Sequence, residues 1–458
     1  RFVVCHSDIK RRGTFTSSHE LVNRLHENVV WSTKSNFVSI PTDCPQRDER
    51  LGWTGDIAAF AETASFLFDV DGFLQSWLQD LTLEQRKVGT VPVFVPSFPT
   101  AFPASPMALW GDAAVLVPWA LYQRFGDMEV LRTQYDSMTT WVDQVAASSD
   151  ADGVWRNGMQ LGDWLDPIAP PSRPGAARTQ NKLVATAYAV HVASLMSRIA
   201  RLLGREDDAT KYEARAAFIR DGFRKEYVTP NGRMASDAQT AYALAIAFGL
   251  LDSEQMPTAV ARFAQLVIAE ELHIGTGFAG TPRMCPALTD INRVDLAYGM
   301  LLQQSCPSWL YPVTMGATTV WERWDSMLPN GDINPGDMTS FNHYALGAVA
   351  DWLHCTVAGL APDLPAYKRI RFAPIPGGGL THASAALTTT FGDASIAWHR
   401  VHQMLYVTMV VPPNTTAIIA LPGVAEELVG SGTHERSVHY PDAEGEGYVI
   451  DPMAWIRN

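Results

Sequence analysis

Cysteine is scarce in this 458-residue chain: there are five (Cys5, Cys44, Cys285, Cys306 and Cys355), and no two stand in a C-x-x-C pair. This excludes a zinc ribbon and a dense disulfide framework, and a reducing, cytoplasmic compartment is the simpler expectation. Long hydrophobic runs are also missing. The longest, AYALAIAFGLL from Ala241 to Leu251, is well short of the roughly 18 residues of a membrane span. No charged-then-apolar leader opens the chain, which begins at Arg1, so we expect upstream sequence to have been lost and any leader with it. Positive charge is in the minority. Lys and Arg number 35 against 48 Asp and Glu, a net charge of -13. Nucleic acid and anionic membranes are expected to be repelled, and a neutral or cationic partner fits better. With 47% hydrophobic and 18% charged residues, the composition is that of a soluble globular chain large enough for one main core and a satellite domain.

From Ser17 to about Leu360 the apolar residues recur at helical spacing, segment after segment. In LVATAYAVHVASLMSRIARLLG, Leu183, Ala187, Val190 and the Leu195, Ile199, Leu202 row step by three and four, and Gly204 stands where a C-terminal cap belongs. Similar segments read at 17–34, 54–68, 70–88, 111–125, 127–147, 206–226, 238–251, 256–272, 293–304 and 340–357, with a broken one near 308–326. So many helices, with no credible strand between them, can pair as hairpins and close into an (α/α)6 barrel; an irregular helical domain satisfies the same pattern. After Asp363 alternating β-branched residues between Gly, Pro and Asn turns predict a small β domain. The expected organisation is therefore a residual strand over 1–16, which could join that β domain or one upstream, a helical barrel over 17–362, and a β-sandwich over 363–458.

The stretch NFVSIPTDCPQRDERLGWTGD, Asn36 to Asp56, packs Asp43, Asp48, Glu49 and Asp56 beside Arg47, Arg50 and Trp53 in a Pro-broken loop. A solvated loop with the arginines pairing the acids is one reading. The other is glycoside hydrolysis, which needs one carboxyl kept protonated for the leaving oxygen and a second one ionised. Neighbouring acids raise the pKa of Glu49 and the two arginines oppose them, a balance that sequence leaves open. Thr54 is placed to cap the following helix, with Asp56 in its first turn. A partner carboxylate is offered by GATTVWERWDSMLPNGD, where Glu322 stands between Trp321 and Trp324; a helix with two core tryptophans and an exposed Glu is the alternative.

Three blocks, DCPQRDERLGWTGD (Asp43–Asp56), GATTVWERWDS (Gly316–Ser326) and SFNHYALGAVADWL (Ser340–Leu353), together resemble the bacterial and fungal α-L-rhamnosidases of glycoside hydrolase family 78. The resemblance covers nearly the whole chain. It implies a mainly α fold, a catalytic (α/α)6 barrel followed by a β-sandwich. It also implies hydrolysis of terminal α-L-rhamnosyl groups with inversion, acting on a rhamnose-containing glycoside without metal or organic cofactor. Carried over residue by residue, it makes Glu49 the general acid and Glu322 the general base. Asp43, Arg47 and Asp56 bind rhamnose hydroxyls or position the acid, Trp53 lines the pocket and His343 contacts the sugar. ALWGDAAVLVPW implies Trp110 and Asp112 near the pocket, and LGDWLDP implies Trp164 and Asp163. Without the resemblance, His343, Trp110 and Trp164 read as readily as core residues. Members of this family commonly carry several β domains before the barrel, whereas this chain begins almost at it. The competing readings are another helical-barrel glycosidase, a phosphorylase, or a non-catalytic sugar-binding protein; aglycone and oligomeric state are not legible.

Overall fold

A computed structural model describes residues 3–48, 50–99 and 104–441. Strand β1 (Gly13–Ser17) leads into helix α1 (Glu20–Asn36) and a short ribbon of β2 (Phe37–Val38) and β3 (Ile40–Pro41). Then follow α2 (Thr54–Leu67), α3 (Asp71–Val88), α4 (Ala113–Phe125), α5 (Met128–Ser148), α6 (Asn181–Leu202) and α7 (Glu206–Tyr227). The helical series ends with α8 (Gln239–Ala247), α9 (Met256–Ala269), α10 (Thr281–Asp290), α11 (Val294–Leu302), α12 (Leu310–Thr314) and α13 (Val349–Trp352). A 3-10 turn (Ala345–Ala348) opens α13 and a π turn (Leu353–Ala358) closes it.

The helices alternate between two chemical types. Those of the first type, such as α2 and α8, are buried on nearly every face, while α3 and α7 bury one stripe and expose the rest. The buried set closes a ring: α2 packs on α4, α4 on α6, α6 on α8, α8 on α10, α10 on α13, and α13 back on α2. This is the (α/α)6 barrel, in which α4, α6, α8 and α10 also pack on the outer helices α5, α7, α9 and α11. Helix α6 is by length and composition apolar enough to cross a membrane, yet 83% of its most apolar window is buried inside the protein. The barrel accounts for its apolarity.

Local chemistry sets the helix ends. Asp127 caps α5 by accepting from the Glu129 N–H at 2.8 Å. Gly126 ends α4 at φ 76°, and its N–H reaches the Tyr122 carbonyl. Thr54 is not the cap of α2. It is the first helical residue, and its hydroxyl donates to the Pro92 and Val93 carbonyls. Helix α10 was not expected, because Pro282 and Pro286 break its pattern; a proline in the first turn costs no helical hydrogen bond. The expected broken helix near 308–326 shrinks to α12, and the last helix starts at 345 rather than 340. The ribbon at 37–41 is also a strand pairing that periodicity did not indicate.

The C-terminal β unit begins with β4 (Leu360–Leu364) and β5 (Arg369–Phe372), then β6 (His382–Thr389), β7 (Gly392–Val401) and β8 (Met404–Val411). It ends with β9 (Thr416–Ile419), β10 (Glu427–Val429) and β11 (Gly432–His439). One sheet runs β1-β6-β7-β8-β11 and the other β10-β9-β5-β4. The N-terminal strand thus pairs with this unit, Phe15 opposite Ala385. Trp398 on β7 donates to the Val357 carbonyl at the end of the last barrel helix. All five cysteines are unpaired.

Candidate active site

The loops that enter the inner helices meet over a cavity of about 360 Å³, lined by Asp43, Leu51, Trp53, Asp56, Phe94, Phe98, Trp110, Leu161, Trp164, Phe278, Glu322, Met338 and His343. Asp56 lies in the first turn of α2, and Trp110, Phe278 and His343 lie just before α4, α10 and the last inner helix. The N-terminal partial positive charges of several helices therefore face one cavity rich in carboxylates.

Two cross-links build the polar floor. Backbone bonds from Glu322 N to Ser340 O (2.9 Å) and His343 N to Val320 O (2.8 Å) clamp the Glu322 segment to that of His343. Ser340 Oγ donates to Gln46 Oε1 and the Tyr344 hydroxyl to Pro41 O, tying this clamp to the Asp43 loop. Glu322, only 2% exposed, is in neither a helix nor a strand. Arg47 donates through Nη1 to its Oε2 at 2.6 Å and through Nη2 to its Oε1 at 3.2 Å, and Nη2 also donates to Asp43 Oδ2 at 3.0 Å. Asp43 Oδ1 accepts from the Leu51 N–H, which fixes the turn between them. The arginine does pair acids, but in the interior and not at the surface.

The second cross-link is His343 Nε2 to Asp56 Oδ1, 3.0 Å, with the two side chains 1% and 5% exposed. Burial pushes Asp56 above the usual carboxylate range, against the pull of the His343 bond and the dipole of α2. Burial disfavours the charged form of His343, and the Asp56, Glu322 and Asp43 carboxyls outweigh it and raise its pKa. The Ala345 N–H points at Nδ1, however, so the ring keeps Nδ1 as an acceptor and gives its Nε2 proton to Asp56.

Around this floor the wall is aromatic. Gly55 lies against Trp110, where an added Cβ would stand 2.5 Å from the indole. Trp110 Nε1 is buried without a hydrogen-bond partner. The Trp53 edge is zipped to the 91–95 segment by Thr54 N to Val93 O and Val95 N to Gly52 O.

Of the residues expected from sequence, Asp43, Trp53, Asp56, Trp110, Trp164, Glu322 and His343 line the cavity, and Arg47 bridges two of them. Asp112 and Asp163 do not. Asp112 is fully buried, accepts from Leu109 N–H (2.6 Å) and Trp141 Nε1 (2.7 Å), and is pushed by burial up to about 6. It braces the Leu109 turn, at φ 65°, that presents Trp110. Asp163 accepts from the Gly277 and Gly280 N–H groups and from Thr240 Oγ1, and burial, with Asp166 nearby, also pushes it up to about 6. Their oxygens are engaged by protein donors, so they support the wall from behind. Glu49 lies outside the described residues. Phe94, Phe98, Phe278, Leu161, Leu51 and Met338 were not singled out, since apolar residues in loops carry no signal of which cavity they face. Among the described residues no group of three or more His, Cys, Asp or Glu is arranged to hold a metal ion.

Comparison with known proteins places this geometry in a family. The bacterial α-L-rhamnosidase 6-hairpin glycosidase domain matches residues 10–357, and the bacterial α-L-rhamnosidase C-terminal domain matches residues 359–436. An α-L-rhamnosidase of Formosa agariphila is 39% identical over 422 residues, 92% of this chain and 45% of that protein. One of Streptomyces avermitilis is 38% identical over 454 residues, 95% of this chain and 43% of that protein. Among solved structures, the native α-L-rhamnosidase from Aspergillus terreus superposes with a TM-score of 0.92 at 44% identity, covering 94% of this chain and 51% of that one. The Streptomyces avermitilis α-L-rhamnosidase complexed with L-rhamnose gives a TM-score of 0.87 at 38% identity, over 94% of this chain and 43% of that one. The chain thus spans about half the length of these relatives. By a match over most of its length, ring of six inner helices and β unit included, the chain belongs to the bacterial α-L-rhamnosidase 6-hairpin glycosidase family.

Proposed function

We propose that this chain is an inverting α-L-rhamnosidase that removes a terminal α-L-rhamnosyl group, with Glu49 as general acid and Glu322 as general base. The observation that carries the reading is Glu322 itself: a buried carboxylate on the floor of a cavity that opens to solvent between aromatic walls, held by Arg47 on both oxygens. Glu322 takes a proton from water as the water oxygen bonds to the anomeric carbon. Glu49, two positions after Arg47 in sequence, gives a proton to the glycosidic oxygen as the bond to the aglycone breaks. The product is the β anomer.

The cavity volume, near the low end of the roughly 300–1,000 Å³ of small-molecule sites, supports one sugar ring and not a long oligosaccharide. L-Rhamnose is a 6-deoxy sugar with three free hydroxyls. Asp43, Arg47, Asp56, His343 and Trp110 Nε1 are suited to the hydroxyls, and Trp53, Trp164, Leu161 and Phe278 to the methyl group and ring faces. Partners on this reading are rhamnose-containing glycosides, with no role for nucleic acid or membrane.

The test is release of nitrophenol from 4-nitrophenyl α-L-rhamnopyranoside, with Glu49→Gln and Glu322→Gln alongside and other nitrophenyl glycosides as controls. Each variant is expected to lose about 10²- to 10⁴-fold in kcat. Proton NMR of the first-formed sugar reads the stereochemistry. Turnover by neither wild type nor variants sinks the proposal, and an α-first product overturns inversion.

A further inference from the structure

The cavity lining is sorted by depth. Its carboxylates and imidazole, Asp43, Asp56, Glu322 and His343, are each no more than 3% exposed. The lining residues that reach solvent are all apolar or aromatic: Leu51, Trp53, Trp164 and Met338 are half-buried, and Phe98 is 54% exposed. Among the described lining residues, the mouth offers no hydroxyl, amide or charge, and its polar atoms are the indole N–H groups of Trp53 and Trp164.

Phe98 stands at the outer end of an aromatic series. Its ring centroid is 5.3 Å from Phe94, tilted by 46°, and Phe94 meets Trp53 edge-on, also at 5.3 Å. The segment carrying them is held. Val95 bonds to Gly52, Trp77 Nε1 donates to the Val95 carbonyl at 3.1 Å, and Ser97 Oγ donates to Glu84. Phe98 is not an isolated surface residue: it carries the aromatic lining of the cavity, through Phe94 and Trp53, out to solvent as one continuous apolar strip. A sugar in this position would keep its hydroxyls in water and gain no direct hydrogen bond from the described lining at the mouth, whereas a planar aromatic group gains ring-to-ring contact with Phe98.

We infer that Phe98, with Phe94 beneath it, forms the leaving-group subsite, and that this subsite selects rhamnosides with a planar aromatic aglycone over those in which rhamnose is attached to another sugar or an alkyl group. This rests on the rhamnosidase reading above. Phe98 acts on the part of the substrate that departs and has no role in the bond-breaking step.

The experiment compares kcat/KM for 4-nitrophenyl α-L-rhamnoside, a flavonol α-L-rhamnoside, methyl α-L-rhamnoside and a rhamnosyl-glucose disaccharide, in wild type, Phe98→Ala and Phe98→Tyr, by release of free rhamnose. Comparing variant with wild type for each substrate cancels leaving-group reactivity. The ratio of aryl to methyl kcat/KM is expected to fall about tenfold in Phe98→Ala, mostly through KM, the yield of one aromatic contact, and to return in Phe98→Tyr. An aryl-to-methyl ratio unchanged in Phe98→Ala overturns the inference, as does an equal loss on the disaccharide. Absence of rhamnose release from every substrate by the wild type overturns the rhamnosidase reading instead, so the two failures are distinct.

Discussion

Arg47 and Glu322, 275 residues apart in the chain, form a two-pronged ion pair at 2.6 and 3.2 Å in which both carboxylate oxygens accept from one guanidinium. The planar fork fixes the direction of the carboxylate as well as supplying a countercharge, something a lysine ammonium does not do. Because Nη2 also reaches Asp43, the same guanidinium sets the distance between the loop after β3 and the loop before the last inner helix.

Arg47→Lys keeps the charge and loses the fork. We expect kcat on an aryl rhamnoside to fall about a hundredfold, the scale of a misplaced reacting group, with the circular dichroism spectrum unchanged. Near-normal kcat would show that charge alone suffices at this position.

Gly55→Ala probes the seat of Trp110. A Cβ there stands 2.5 Å from the indole, so either the ring or the first turn of α2, with Asp56, must move. Overpacking of this kind costs about 1–3 kcal/mol. Thermal unfolding is expected to shift down and KM for the rhamnoside to rise. A variant with wild-type melting temperature and KM refutes the packing argument.

Asp163→Asn separates a supporting role from substrate contact. Gly277 and Gly280 donate to different oxygens of Asp163, so the Asn carbonyl still accepts from one while its amide nitrogen cannot accept from the other, and a buried group left unpaired costs about 1–3 kcal/mol. The expected signature is a lower melting temperature with little change in KM for the fraction that remains folded. A raised KM with unchanged stability would return Asp163 to the substrate.

His26 and His354 meet through their Nε2 atoms at 3.0 Å between Phe15 and Phe66, and burial holds both neutral. Burial, with Arg11 nearby, lowers His26 to about 3, and His354 is lowered well below its ordinary 6.5. Below about pH 6.5 the unfolded chain binds protons that the folded pair refuses. Stability from this pair is therefore complete above about 6.5 and is lost as pH falls toward 3. The melting temperature is expected to drop between pH 6.5 and 5, and the slope to flatten in a His26→Asn, His354→Asn double variant. An identical slope in that variant would assign the acid sensitivity to other groups.

The helical pattern of α3, α5, α6 and α7 is legible residue by residue, because an outer or long helix writes its buried stripe into a local period. The same holds for the alternation of β6 to β8, and the Asp43–Asp56, Gly316–Ser326 and Ser340–Leu353 blocks brought five cavity-lining residues together on paper, with Trp110 and Trp164 added from two further segments. Helix α10 escaped because two prolines mask a short period. Glu322 reads in sequence as a loop carboxylate, with a helix between two core tryptophans as the alternative; it lies in neither helix nor strand, and its N–H bonds to the Ser340 carbonyl.

By itself, then, the sequence determined which segments bury a face and which blocks carry carboxylates, since both follow from neighbours a few residues apart. Only the tertiary structure decided which carboxylate meets the cavity and which meets a backbone N–H: Asp56 and Asp163 look alike in sequence, and ring closure between α2, α6, α10 and α13 sends one to the floor and the other behind the wall. The sorting of polar floor from apolar mouth is of the same kind, because depth in a cavity is set by how distant loops converge and leaves no local period in the chain.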